Sequence, residues 1–105
     1  MYCAGMTFRL KPGCYPEYKK AHDELWPEVA ETMAVNNVSM VIYRYGDQLF
    51  CHATAPTEQD WLNSLEEVPE IVRWNEYMAN YLVTDEKNQI IFEDIELEFA
   101  FGDYK

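Results

Sequence analysis

The sequence predicts an α+β fold in which a four-stranded antiparallel sheet carries helices on one face. Three patterns predict it. An alternating strand pattern opens the chain, and a hairpin pattern lies in its middle. A helical segment follows the first strand, and another follows the hairpin. At 105 residues the chain has the usual length of one domain, so we expect residues 1–105 to form a single unit. Because 49% of its residues are hydrophobic, this unit can bury a core without disulfide bonds.

The first strand is predicted by strict alternation of side chains from Tyr2 to Leu10, and Pro12-Gly13 ends it. Side chains at alternate positions point to the same face of a strand. One face would therefore carry Tyr2, Ala4, Met6, Phe8 and Leu10.

A helical pattern follows from about Cys14 to Asn36, and Pro27 interrupts it. The proline ring lacks an N–H and clashes with the carbonyl four residues earlier, so a helix breaks before it. We expect one helix that ends near His22 to Glu24 and a second that begins at Pro27, where proline is tolerated. A helix end at His22 would let this side chain point into a cavity.

The second half of the chain begins with a predicted hairpin of Val38–Tyr45 and Gln48–Ala55, joined by a turn at Gly46-Asp47. Thr57 then starts a helix with Asp60 at its third position, a capping pattern. This helix runs to about Glu66, and a further helix is predicted for Pro69 to about Leu82.

The last strand is predicted by apolar residues that alternate with acidic ones between Ile91 and Phe101, after a polar turn at Asp85–Asn88. The resulting order, β-α-β-β-α-β, is that of the ferredoxin-like fold. Tyr43, Tyr45 and Phe92 lie on strands whose opposite faces are also apolar. Since one layer of helices covers only one side of the sheet, we expect a homodimer through the sheet face.

Charge and cysteine content limit the partners and the location. A net charge of −11 with one basic pair, Lys19-Lys20, argues against nucleic acid and against anionic ligands. We therefore expect a neutral small molecule. Cys3, Cys14 and Cys51 cannot all pair, and we expect reduced thiols in a cytoplasmic protein. The N-terminal residues lack a basic segment and a long apolar run, so we expect no secretory signal and no membrane anchor.

The common signatures of metal and cofactor sites are missing from the sequence. No Gly-rich loop follows a predicted strand, no Cys or His pair has zinc-ligand spacing, and no Gly-x-Ser-x-Gly motif is present. We therefore expect neither a metal nor a cofactor.

The residues best suited to chemistry lie in the first helix. Tyr18 and His22 are four residues apart and so share one helix face. Imidazole titrates near neutrality and can both give and take a proton. Tyr18 and Trp26 offer flat apolar walls that suit the C–H faces of a sugar ring. The residues alone leave open whether this group forms a site or ordinary core.

A run of the form Tyr-x-x-x-His-x-x-x-Trp-Pro-Glu extends from Tyr18 to Glu28, after the first strand. It resembles the run at the same position in the L-rhamnose mutarotase family. A second likeness lies at Arg73–Met78, which is similar to the family's Arg-Trp-Trp-x-Tyr-Met helix. The resemblance spans nearly the whole chain.

This resemblance implies a dimeric α+β barrel that interconverts the α and β anomers of a neutral deoxyhexose without a cofactor. It also implies that His22 is the catalytic proton donor and that Tyr18 and Trp74 contact the sugar. We expect His22 to handle the proton at the ring oxygen, Tyr18 to orient the sugar, and Trp74 to stack beneath it, with Trp26 as a further wall.

The predicted substrate wall departs from the family pattern at two positions. Asn75 stands where the family usually has a second Trp, and Met40 stands where it has a sugar-binding Tyr. Residues 83–89 also replace the family's Asn-Pro-Asp-Asn-Ser-Pro turn. We expect Asn75 and Met40 to line the site, with L-rhamnose or another neutral sugar such as L-fucose as the substrate.

Two other functions remain open at this stage. Dimeric α+β barrels include cofactor-free monooxygenases and polyketide cyclases, and a flat aromatic ligand would suit Met6, Met40 and the tyrosines. The chain could also be a non-catalytic sugar-binding relative. His52, on the second strand of the hairpin, would be a second proton-transfer group only if it faced the cavity.

Overall fold

The computed structural model describes residues 1–105, and its four strands form one antiparallel sheet. The strands are β1 (Tyr2–Arg9), β2 (Ser39–Tyr45), β3 (Gln48–Ala55) and β4 (Glu93–Asp94). Their order across the sheet is β2-β3-β1-β4, which places β2 and β4 at opposite edges. The predicted fold class is confirmed.

Four α-helices pack on one face of this sheet. They are α1 (Tyr15–Asp23), α2 (Pro27–Val35), α3 (Glu58–Ser64) and α4 (Pro69–Met78). A short 3₁₀ helix at Gly102–Tyr104 lies near the end of the chain. None of the helices has the length and apolar character needed to cross a membrane.

The predicted helix boundaries at Pro27 and Thr57 are confirmed. Residue Trp26 has an extended backbone conformation, and α2 begins with Pro27. Thr57 and Asp60 form a reciprocal capping box at the start of α3. The helix that was expected to reach Leu82 ends at Met78, because Leu82 forms a β-bridge with Leu10.

The core lies between the helices and the face of the sheet that the first strand pattern predicts. In the observed register Phe8 pairs with Leu49, and Met6 pairs with Cys51. The side chains of Leu10 and Leu49 are the most deeply buried large ones, at 2% and 1% exposure. Helices therefore cover this face and leave the other uncovered.

The last strand is much shorter than predicted. Only Glu93 and Asp94 pair with β1, followed by one hydrogen bond from the Ile95 amide to the Gly5 carbonyl. In this register Met1 would lie opposite residue 99, so β1 offers no partner for Phe101. The prediction of a strand that reaches Phe101 is therefore wrong.

The side chains of this last segment also face in unexpected directions. Phe92 lies on the helix side, where its ring meets the ring of Phe8 at 5.1 Å. The expectation that it contributes to the uncovered face is wrong. Leu97, Phe99 and Phe101 are exposed instead, because no layer of the chain lies over them.

The uncovered face of the sheet is apolar along β2 and β3, as predicted for Tyr43 and Tyr45. These two side chains are 66% and 83% exposed. Val41 and Phe50 lie on the same face and are also exposed. We call these four residues the outer aromatic face.

Candidate active site

A cleft of about 680 Å³ lies between the helices and the sheet. Helix α1 contributes Tyr18 and His22, α4 contributes Trp74 and Asn75, and β2 contributes Met40. The volume is in the range of small-molecule sites in proteins. The structure thus brings five of the six predicted site residues to one cavity.

Trp26, the sixth, does not line this cleft. Its ring meets Trp74 edge to face at 5.1 Å and stacks on Tyr77 at 5.5 Å. Trp74 in turn meets His22 at 5.4 Å between ring centroids. Trp26 therefore supports the wall of the cleft from behind instead of forming it.

The orientation of His22 is fixed by a hydrogen bond along its own helix. Its Nδ1 lies 3.1 Å from the carbonyl oxygen of Tyr18, one helical turn earlier. A carbonyl only accepts hydrogen bonds, so Nδ1 carries the proton and donates it. In the neutral ring this leaves Nε2 with a free lone pair as a proton acceptor.

Burial keeps this imidazole neutral. Desolvation lowers the pKa of His22 below the ordinary value of 6.5 and outweighs the hydrogen bond to Tyr18 and the nearby charge of Asp23, which raise it. His22 is therefore uncharged at neutral pH and enters a reaction as a base.

Tyr18 supplies a hydroxyl group that lacks a partner within the protein. The residue is only 6% exposed, and its hydroxyl oxygen is buried without any hydrogen bond. Burial is the main cause that raises its pKa, with a smaller effect from Cys51, so the hydroxyl stays protonated. A buried, unpaired hydroxyl is costly, and a bound ligand would remove that cost.

Two further ionisable groups at the cleft were missed by the sequence reasoning. Asp94 lines it from β4, opposite Met6 on β1. The alternation of side chains along the predicted last strand puts Asp94 on the polar side of that strand. Only the observed pairing of Asp94 with Met6 shows that this side faces the cleft. Cys51 lines it from β3, and burial raises the pKa of its thiol to about 11.

His52 lies on the other side of the sheet. The centroid of its ring lies 5.4 Å from that of Tyr104. The side chains of its neighbours Cys51 and Ala53 are buried on the helix side, and side chains alternate along a strand. It therefore does not face the cleft. No three His, Cys, Asp or Glu side chains come together in a way that could hold a metal ion.

Comparison with known proteins relates the whole chain to one family. The family profile described as L-rhamnose mutarotase matches residues 3–99. This chain belongs to the L-rhamnose mutarotase family. An L-rhamnose mutarotase from Rhizobium johnstonii is 31% identical over 83% of this chain and 84% of its own length. One from Tolumonas auensis is 28% identical over 88% of each chain.

Solved structures share the fold of this L-rhamnose mutarotase family member. The crystal structure of an L-rhamnose mutarotase from Formosa agariphila superposes with a TM-score of 0.83 at 22% identity, covering 97% of this chain and all of that one. The tetracenomycin F2 cyclase from Streptomyces glaucescens, a type-II polyketide cyclase, gives a TM-score of 0.65 at 17% identity, covering 97% and 98%.

The lowered pKa of His22 can be measured by NMR. We expect its ring proton resonances to titrate with a midpoint below 6.5, because burial penalises the imidazolium. The chain has only two histidines, so His52→Gln leaves one resonance set and assigns it to His22. A midpoint at or above 6.5 would contradict the neutral-base assignment.

Proposed function

We propose that this protein interconverts the α and β anomers of a neutral deoxyhexose, L-rhamnose or a close relative such as L-fucose. Its family makes it an isomerase that acts on carbohydrates. The proposal assigns the proton transfers to His22 and assigns sugar contacts to Tyr18, Trp74, Asn75 and Met40.

The observation that carries this proposal is a pair of complementary groups on one helix face. His22 offers a free lone pair at Nε2, and Tyr18 offers an unpartnered hydroxyl, with the two rings 4.3 Å apart. Both line the cleft together with Trp74, whose ring centroid lies 5.4 Å from that of His22. An acceptor, a donor and an aromatic wall are the groups that a pyranose ring needs.

The reaction follows from these groups. Nε2 of His22 takes the proton of the anomeric hydroxyl, and the imidazolium returns it to the ring oxygen as the bond from C1 to that oxygen breaks. Both oxygens are bonded to C1, so one nitrogen reaches both. The open aldehyde rotates about the C1–C2 bond, and the reverse steps close the ring on its other face.

The other residues hold the sugar during this transfer. The hydroxyl of Tyr18 donates a hydrogen bond to a sugar oxygen, and Trp74 contacts the ring through its apolar surface. Trp26 keeps Trp74 in place. The uncatalysed reaction is already moderately fast, so acid–base help of about 100- to 10,000-fold from one group is a useful acceleration.

The replacement His22→Ala should lower the rate of anomer exchange by about 100- to 10,000-fold, because the proton transfer group is lost. The measurement is saturation-transfer NMR on L-rhamnose and L-fucose. His52→Ala, on the far side of the sheet, is the matched control and should retain the full rate. Unchanged exchange in His22→Ala would overturn the assignment, and tight sugar binding without exchange in the unmodified protein would favour a non-catalytic binder.

A second candidate function is cofactor-free chemistry on a flat aromatic compound. It is supported by the fold shared with a polyketide cyclase and by the apolar side chains that make up most of the cleft. Oxygen consumption or ring closure with a quinol or polyketide substrate, in the absence of sugar exchange, would favour it over the mutarotase.

We also propose that the protein is a homodimer joined through the outer aromatic face and that it works in the cytoplasm. An apolar patch of this kind on a sheet that helices cover on one side only favours contact with a second copy. The three free cysteines support a reducing compartment.

Sedimentation analysis tests the dimer. We expect the unmodified protein to sediment as a dimer at micromolar concentration. Tyr43→Glu should shift it toward the monomer, because a carboxylate in an apolar interface must be desolvated. Leu62→Glu, which changes an exposed residue of α3, should leave the dimer intact. A monomeric unmodified protein would contradict the proposal.

A further inference from the structure

The floor of the cleft includes a row of four side chains, one from each strand of the sheet. Ile42 on β2 pairs with Cys51 on β3, and Cys51 pairs in turn with Met6 on β1. Met6 pairs with Asp94 on β4, and all four residues line the cleft. The row therefore ends in a carboxylate at one edge of the sheet.

Asp94 is the only Asp or Glu residue that lines the cleft, and no Lys or Arg lines it. Phe92, two residues earlier and on the same side of the segment, packs against Phe8 on the helix side. The one salt bridge of the protein joins Lys19 to Asp23, so Asp94 has no cationic partner. The residue is exposed, and its carboxylate oxygens can accept hydrogen bonds from a ligand.

Asp94 and the Tyr18 hydroxyl lie over different strands of this floor. Tyr18 is close enough to Cys51 on β3 for the thiol to contribute to the rise in its pKa. Two inter-strand spacings, about 10 Å in total, separate β3 from β4. A pyranose ring with a hydrogen bond of about 2.8 Å at each end covers a span of this size. One sugar molecule can therefore contact Tyr18 and Asp94 at the same time.

We infer that Asp94 is a substrate-binding residue that holds the end of the sugar ring opposite to C1. Its carboxylate accepts a hydrogen bond from a ring hydroxyl at C3 or C4, while the anomeric hydroxyl lies at His22. The ligand class is a neutral pyranose that keeps a free hydroxyl at this end. The inference rests on the proposed mutarotase function, because that function places C1 at His22.

Asp94 contributes to binding and not to the proton transfers. The pKa of His22 is governed by burial and by Tyr18, Asp23 and Lys19, and Asp94 is not among these groups. A hydrogen bond to a hydroxyl distant from C1 is made equally in the bound substrate and in the transition state. Its loss therefore raises KM and leaves kcat unchanged.

The replacement Asp94→Ala tests this role in the full-length protein by saturation-transfer NMR on L-rhamnose. We expect KM to rise about tenfold, which corresponds to about 1.4 kcal/mol, and kcat to stay within about twofold. Asp94→Asn keeps one acceptor oxygen but loses the charge, so its KM should lie between those of Asp94→Ala and the unmodified protein. An unchanged KM in folded Asp94→Ala, or a loss of kcat instead, would overturn the inference and leave the mutarotase function standing.

Glu93→Ala is the matched control, because it removes the same charge from the neighbouring position of β4. Glu93 pairs with Thr7, and neither residue lines the cleft. This variant should leave KM and kcat unchanged. An equal rise of KM in Glu93→Ala and Asp94→Ala would show a general effect of charge and would overturn the inference. The absence of exchange in the unmodified protein would overturn both the inference and the proposed function.

Analogues of L-rhamnose that lack the hydroxyl at C3 or at C4 identify the bound hydroxyl. With the unmodified protein, we expect one of the two analogues to have a KM about tenfold above that of L-rhamnose. With Asp94→Ala, the same analogue and L-rhamnose should have about the same KM, because the hydroxyl no longer has a partner to lose. If each analogue loses the same factor with both proteins, Asp94 does not contact either hydroxyl and the inference is wrong.

Discussion

The hydrogen bond from His22 Nδ1 to the Tyr18 carbonyl is the interaction on which the site depends. It fixes the tautomer of the imidazole, and burial then keeps the ring neutral. The same four-residue spacing places the Tyr18 and His22 rings side by side. A single turn of α1 therefore presents an acceptor and a donor together, without help from a distant part of the chain.

The position of this turn depends on how the helix ends. The chain leaves α1 after Asp23 and turns at Trp26, because Pro27 cannot continue a helix and instead begins α2. Trp26 thereby packs against Trp74 and Tyr77, and the Trp74 ring packs against the His22 ring in a T-shaped arrangement. The break at Pro27 thus places Trp26 where it links α1 and α4, the two helices that carry His22 and Trp74.

The order of elements could be predicted from the sequence because it rests on local signals. Pro27, the Gly46-Asp47 turn and the Thr57 cap each act within a few residues, and all three lie where the sequence placed them. The last strand could not be predicted in the same way. Its length depends on how far the segment stays paired with β1, which is a property of contacts between distant segments.

The candidate site shows the same difference between local signals and contacts of distant segments. Tyr18 and His22 share a helix face that spacing alone reveals, whereas Asp94 reaches the cleft only through the pairing of β4 with β1. Trp26 belongs to the same sequence run as His22, yet it lies behind Trp74, because a run of residues does not specify which side chain faces a cavity.

The central claim is that His22 acts as a neutral base, and the pH dependence of kcat/KM for anomer exchange tests it most directly. Because the pKa of His22 is lowered, the neutral form predominates above pH 6.5 and is lost as the pH falls through the lowered pKa. The account predicts a constant rate between about pH 6.5 and 8 and a decline on the acidic side. A rate that instead falls as the pH rises through 6.5 would show that the imidazolium is the active form and would contradict it.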